Sequence, residues 1–134
     1  MAPTTNCKHI LIVDDELEIR EILSTVVLGL HGFAAFTAAN GEEALKIVKN
    51  QKIDLLITDL SMPVINGFEL LRRLKNLNYQ IPTVVLTGHS DHKVMKLLLS
   101  FGVNEFLNKP WDNDQLIWVL KKLLVSTGSS EKAS

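Results

Sequence analysis

Cysteine is nearly absent. Cys7 stands alone in 134 residues, so no internal disulfide can form, and no Cys/His ligand spacing surrounds it. Cys7 therefore reads as structural or incidental. No apolar run approaches the roughly 18 residues that a membrane span needs, and the opening MAPTTNCKH lacks the apolar stretch of a secretory signal. Charge of one sign is not in excess either. The formal net charge is −1, which removes the electrostatic case for nucleic-acid binding by this chain alone. Hairpin signals and internal sequence repeats are also missing. What is present is apolar side chain: 46% of residues are hydrophobic, too many for a disordered chain. A single domain of this size hides roughly two-thirds of its unfolded surface. The expectation is a soluble, cytoplasmic protein with neither a membrane nor a nucleic acid as partner.

Short apolar runs alternate with longer amphipathic ones. HILIVD (9–14) is β-branched and bounded by charge, which predicts a buried strand. Residues 16–30 carry Leu17, Ile19, Ile22, Leu23, Val26 and Val27 near helical spacing, with Gly32 as a stop. A weaker strand is expected over 33–37. Asn40-Gly41-Glu42-Glu43 marks a helix start, its acids favouring the helix dipole, and that helix runs to about Asn50. IDLLIT (53–58) is a third strand. Pro63 and Gly67 break the chain before a helix over 68–76. PTVVLT (82–87) is a fourth strand, with proline at its first position, where a missing N–H is tolerated. Helix 91–101, strand 104–108 and helix 112–125 complete the pattern. Strands separated by helices pair in parallel, because the crossover needs a dozen or more residues. The predicted class is therefore α/β, a doubly wound five-stranded parallel sheet of (βα)5 type. Residues 1–8 read as a flexible N-terminal segment, 9–125 as the domain, and 126–134 as a polar tail or linker.

Sites in open α/β sheets form outside the carboxyl ends of the strands. Strand one ends in Asp14 and Asp15, strand three in Asp59, strand four in Thr87 with Gly88 following, and strand five in Lys109. Taken singly, each has an ordinary reading: an Asp as a helix cap, Thr87 as a turn former, Lys109 as a solvated lysine. Together they place three carboxylates, a hydroxyl and an ammonium at one edge. Clustered carboxylates resist joint ionisation unless a cation relieves them. Mg²⁺ suits the task, since it takes oxygen ligands and binds through one or two carboxylates plus phosphate oxygens. Asp15 and Asp59 could bind directly, with Asp14 acting through water. Such a site suits phosphoryl transfer, in which catalysis is mostly positioning and charge neutralisation. A carboxylate nucleophile would give an aspartyl phosphate.

LIVDDE, ITDLSMPVING, VVLTG and FLNKP, in that order, resemble the response-regulator receiver family of two-component signalling over residues 9–125. The resemblance implies a flavodoxin-like sheet in the order 2-1-3-4-5. It implies that Asp59 is phosphorylated, with Mg²⁺ (or Mn²⁺) as cofactor, from a phosphohistidine on a sensor histidine kinase or histidine phosphotransfer protein. Asp14 and Asp15 match the acidic pair, the backbone carbonyl of Ser61 completes the metal site, and Lys109 contacts the phosphoryl group. A cis Lys109–Pro110 bond is expected, and Pro63 and Gly67 match the shape of the loop after the phosphorylated strand. Thr87 and Phe106 match the switch pair: the hydroxyl moves toward the phosphoryl group and the ring turns inward. Many relatives carry Tyr at this position, and Phe106 lacks its hydroxyl; as an ordinary core ring it would serve packing alone. Gly88 leaves space for an attacking water, while Ser61 and His89 flank the site and tune phosphate lifetime; His89 also reads as a plain helix-start residue.

Residues 126–134 are too few for a DNA-binding or enzymatic module, so the sequence reads as a stand-alone receiver or as one domain of a longer protein. The last helix places Leu116, Ile117, Val119, Leu120, Leu123 and Leu124 on one face. Trp118 falls opposite, near Lys121, Lys122 and Val125, and Lys93 and Lys96 extend that surface. This face is a candidate contact for a downstream partner or a second copy of the chain; the alternative is a lone ring covered by lysine stems. Three rival functions remain. A phosphatase of the haloacid-dehalogenase type needs a second Asp two residues after its nucleophile, where this chain has Ser61. A degenerate receiver, acting unphosphorylated as an interaction module, typically lacks part of the acidic set. A flavin site would meet repulsion from Asp14-Asp15-Glu16.

Overall fold

The computed structural model describes residues 7–62, 66–88 and 92–133, with residues 125–133 in backbone alone. Strand β1 (Lys8–Val13) is followed by helix α1 (Leu17–Leu28), β2 (Phe33–Ala38), α2 (Gly41–Asn50) and β3 (Leu55–Asp59). Then come α3 (Gly67–Asn76), β4 (Thr83–Thr87), α4 (His92–Ser100), β5 (Glu105–Asn108) and α5 (Asn113–Ala133). All five strands pair in parallel, as their separation by helices predicts, and in the order β2-β1-β3-β4-β5 that the family resemblance implies.

Alternate residues of each inner strand point to opposite faces and meet different helices. Leu11, Val13, Leu56 and Val85 pack with Ala44, Leu45, Val48, Leu70, Leu74 and Leu98, so α2, α3 and α4 cover one face. Ile10, Ile12, Leu55, Ile57, Val84 and Leu86 pack with Leu23, Val27, Leu116, Val119 and Leu120, so α1 and α5 cover the other. Burial on both faces is why β1, β3 and β4 read as continuous apolar runs. Each fully buried Leu or Ile contributes about 1.5–3 kcal/mol. Edge strand β2 is half-buried along most of its length.

Caps fix the helix starts. Asn40 Oδ1 accepts from the Glu43 N–H at 2.9 Å, while Glu43 reaches back to the Ala39 N–H at 2.8 Å. Asn66 Oδ1 likewise accepts from the Glu69 N–H at 2.9 Å. Asp112, expected inside the last helix, instead caps it through the Asp114 N–H. Boundaries shift elsewhere for similar local reasons. Ile53 is buried but precedes the β3 ladder, whose strand extends through Asp59. Lys8, placed by the sequence reading in the flexible N-terminal segment, pairs with Phe33 as the first residue of β1. Helix α5 passes the expected end at Val125 and runs through most of the segment read as a tail. Adding a residue to an existing helix costs little when only one glycine intervenes.

Gly67 ties the fold to the edge of the sheet. Its N–H donates to the Leu60 carbonyl at 2.9 Å, drawing the start of α3 against the end of β3. A Cβ there would stand 2.4 Å from the Asp59 carbonyl oxygen and 2.8 Å from the Leu60 Cα. Both obstacles are backbone, so Gly67→Ala must push Asp59 or α3 aside. Overpacking of this kind costs about 1–3 kcal/mol. Urea denaturation should show that loss, and an unchanged midpoint would mean the contact yields freely.

Candidate functional site

Parallel pairing sends every strand end to one edge. Val13 lies across from Thr58, so Asp14 and Asp59 emerge side by side on adjacent strands. Thr87 lies across from Asn108, so Lys109 follows one residue beyond β5. Asp14 is fully buried, Asp59 is 7% exposed, and Asp15 is exposed. Each offers a carboxylate oxygen, and these oxygens lie within 4.8 Å of one another. The Lys109 ammonium stands 3.4 Å from Asp14 Oδ2 and 3.3 Å from Asp59 Oδ1. Two carboxylates thus share one ammonium with Asp15 close by, so among the described residues the cluster is over-acidic when all three are ionised.

Every polar group of Asp14 is engaged. Its N–H donates to the Ala38 carbonyl at 3.1 Å. Its carbonyl accepts from Arg20 Nη1 at 2.8 Å. Oδ1 accepts from the Glu16 N–H at 2.9 Å, and Oδ2 faces Lys109. Burial raises the Asp14 carboxyl above its ordinary range; the Glu16 N–H and the Lys109 charge oppose this, and Asp59 adds to it. Burial also works against the Lys109 ammonium, but Asp59 and Asp14 outweigh it, so its pKa is raised. The peptide bond from Lys109 to Pro110 is cis, as expected, and the Lys109 N–H donates to the Thr87 carbonyl at 2.9 Å.

Asp59 differs from Asp14. Oδ1 takes both the Leu60 N–H, at 2.8 Å, and Lys109, and Oδ2 has no hydrogen-bond partner among the described residues. Asp59 lines a cavity of about 360 Å³ together with Ser61, Asn66, Phe68, Thr87 and Gly88. A Cβ at Gly88 would meet nothing within 4 Å, so that side of the cavity is open. Phe106 is half-buried against the core on the α2-α3-α4 face and lies across from Val85. Since Val85 and Thr87 share a face, Thr87 and Phe106 sit on the same side of neighbouring strands. Pro63 and His89 lie outside the described residues.

The acidic oxygens suit a hard divalent cation. Oxygens on opposite sides of Mg²⁺ stand about 4 Å apart, slightly less than the 4.8 Å limit of this cluster. Both Asp14 carboxylate oxygens are already engaged, so Asp14 could reach such a cation through water. Two residues escaped the sequence reading of roles. Arg20 acts on a backbone carbonyl, which leaves no pattern of paired charges. Gly67 was placed only in the shape of a loop; its close approach to Asp59 requires coordinates.

The sequence model of the response regulator receiver domain matches residues 10–121. The phosphate regulon transcriptional regulatory protein PhoB of Pseudomonas aeruginosa is 37% identical over 128 residues, covering 92% of this chain and 55% of PhoB. The chain therefore spans about half the length of that relative. Sporulation initiation phosphotransferase F of Bacillus subtilis is 35% identical over 117 residues, covering 87% of this chain and 94% of that protein. Among solved structures, chemotaxis protein CheY4 of Vibrio cholerae superposes with a TM-score of 0.81 at 29% identity, over 88% of this chain and 99% of that one.

The charge balance predicts a pH-dependent stability. Asp14 has a folded pKa above its ordinary 3.8, so its contribution is greatest below 3.8 and is lost as pH rises through the raised folded value. Lys109 has a folded pKa above 10.5, so its contribution is present below 10.5 and lost as pH rises through the folded value. In chelator-treated protein, Asp14→Asn should therefore flatten the decline in stability between pH 4 and 7. Lys109→Met should cost about 1–3 kcal/mol at pH 7, and less near pH 4. Urea denaturation across that range checks both, and a Lys109→Met variant as stable as the parent at pH 7 would contradict the balance.

Proposed function

The chain belongs to the response regulator receiver domain family of two-component signalling, and from that membership we propose that Asp59 accepts a phosphoryl group from a phosphohistidine. The observation that carries this reading is the convergence of Asp14, Asp15, Asp59 and Lys109 at one edge. The donor is a sensor histidine kinase or a histidine phosphotransfer protein. Asp15 and Asp59 would hold Mg²⁺ (or Mn²⁺), with Asp14 acting through water and the Ser61 backbone carbonyl completing the set. When bound, the cation would supply positive charge for the phosphoryl oxygens.

An Asp59 oxygen attacks phosphorus, the P–N bond breaks, and its electron pair stays on the departing imidazole. Oδ2, which has no hydrogen-bond partner among the described residues, is the natural attacking atom. Lys109, already poised between Asp14 and Asp59, takes up a phosphoryl oxygen. The Thr87 hydroxyl donates to another, and Phe106 turns inward as it moves. This biases the surface of α4, β5 and α5 toward a partner. Gly88 leaves room for the water that later hydrolyses the acyl phosphate, and Ser61 and His89 tune how fast. A haloacid-dehalogenase phosphatase is disfavoured by Ser61, and an unphosphorylated module by the complete acidic set.

Trp118 belongs to the output surface. It is 60% exposed, and Lys122 lies over its ring, 4.7 Å from the centroid, while pairing with Glu105 on β5. Trp118→Ala should weaken phosphorylation-dependent self-association or partner binding while leaving phosphorylation intact. Sedimentation velocity with and without phosphoryl donor checks the first. Unchanged association and partner binding would remove Trp118 from the surface.

Intact mass after incubation with acetyl phosphate tests the chemistry. The expected result is a Mg²⁺-dependent gain of one phosphoryl group, absent in Asp59→Asn. No gain in folded protein that binds Mg²⁺, or steady turnover of a phosphate ester, would overturn it.

A further inference from the structure

Asp14 is held at its side chain by Lys109 and the Glu16 N–H, but its backbone is held by a residue outside the acidic cluster. Arg20, half-buried on the first turns of α1, sends Nη1 to the Asp14 carbonyl at 2.8 Å. The N–H of the same residue donates to the Glu16 carbonyl at 3.1 Å. One residue thus grips the loop between β1 and α1 on both sides of Asp15. Asp15 is the exposed member of the cluster, and it is carried on this loop.

The consequence follows from reach. A bond from a guanidinium to a carbonyl is charge-assisted, and a planar guanidinium loses little freedom in making it. Glu16, at the N-cap of α1, makes no side-chain cap bond, so the helix start is held by Asp14 Oδ1 on the Glu16 N–H and by Arg20, through its N–H to the Glu16 carbonyl and its guanidinium to the Asp14 carbonyl. Without the Arg20 side chain the Asp14 carbonyl loses its partner, and the loop carrying Asp15 is released on that side.

We infer that Arg20 is a positioning residue for the acidic site: through the Asp14 carbonyl it fixes the loop that presents Asp15 to the divalent cation. This rests on the reading of the site as a Mg²⁺-dependent phosphoacceptor. The Arg20 side chain acts through the Asp14 carbonyl, and its N–H bond to the Glu16 carbonyl survives substitution. Groups that orient metal ligands in this way are worth about 10-fold to 100-fold in metal affinity or activity.

The test compares the parent chain with Arg20→Met and Arg20→Lys. Mg²⁺ affinity is read by calorimetric titration, the initial phosphorylation rate with acetyl phosphate at saturating Mg²⁺, and folding by circular dichroism. Arg20→Met should lose about 10-fold in Mg²⁺ affinity, with a smaller loss of rate once Mg²⁺ saturates. Arg20→Lys, which keeps the charge and can still reach the carbonyl, should fall between the two. A merely structural role would lower thermal stability and leave Mg²⁺ affinity unchanged in the folded fraction, and that result overturns the inference. Should Arg20→Met not fold, Arg20→Lys decides alone: weaker Mg²⁺ binding supports the inference, and parental binding sinks it. A parent chain that neither binds Mg²⁺ nor takes up phosphoryl sinks the underlying reading and this inference with it. A parent that does both, matched by its Arg20 variants, sinks the inference alone.

Discussion

The bond pattern around Asp14 is the constraint on which the carboxyl edge of the sheet depends. A fully buried carboxylate is tolerated only when its oxygens are bonded and its charge is opposed. The Asp14 carboxylate meets both conditions through the Glu16 N–H and the Lys109 ammonium, while Arg20 and Ala38 engage its backbone carbonyl and N–H. In meeting them it fixes one side of the Lys109 ammonium, the start of α1 and the loop that bears Asp15. Asp59 occupies the other side of Lys109 with one oxygen, and its second has no hydrogen-bond partner among the described residues. The asymmetry between the two aspartates, one bound at every polar group and one open to a cavity, is what supports the proposal that Asp59, and not Asp14, is the phosphoacceptor.

Beneath them the sheet supplies rigidity. Ile12, Ile57 and Val84 are fully buried in neighbouring strands just inside the site, and helices cover both faces. The two or three residues beyond those positions can therefore carry unfavourable charge without loosening the strands. Repulsion is concentrated at the edge, where a cation or a phosphoryl group can change it. Gly67 adds a steric condition, because the backbone of α3 sits directly against the carbonyl of Asp59.

Much of this was legible in the chain before any coordinates. Strands buried on both faces leave continuous apolar runs, so β1, β3 and β4 and their order along the chain could be read directly. Asp14, Asp15, Asp59, Thr87 and Lys109 were legible as a group, because parallel topology sends residues just past each strand to the same edge. Boundaries were less legible. Ile53 is buried without belonging to a ladder, Asp112 caps rather than enters its helix, and the polar residues after Val125 extend α5 without an apolar pattern to announce it. Arg20 and Gly67 were illegible as site residues for a common reason. Each acts on backbone atoms, one by hydrogen bond and one by close approach, and backbone contacts leave no signature in side-chain spacing.

Chemical trapping of the acyl phosphate is the most direct measurement. Borohydride reduces an aspartyl phosphate to homoserine, and peptide mapping then gives its position in the chain. The account predicts homoserine at position 59 alone, and only in protein treated with phosphoryl donor and Mg²⁺. Homoserine at position 14 or 15, or none in protein that has gained a phosphoryl group, would contradict it.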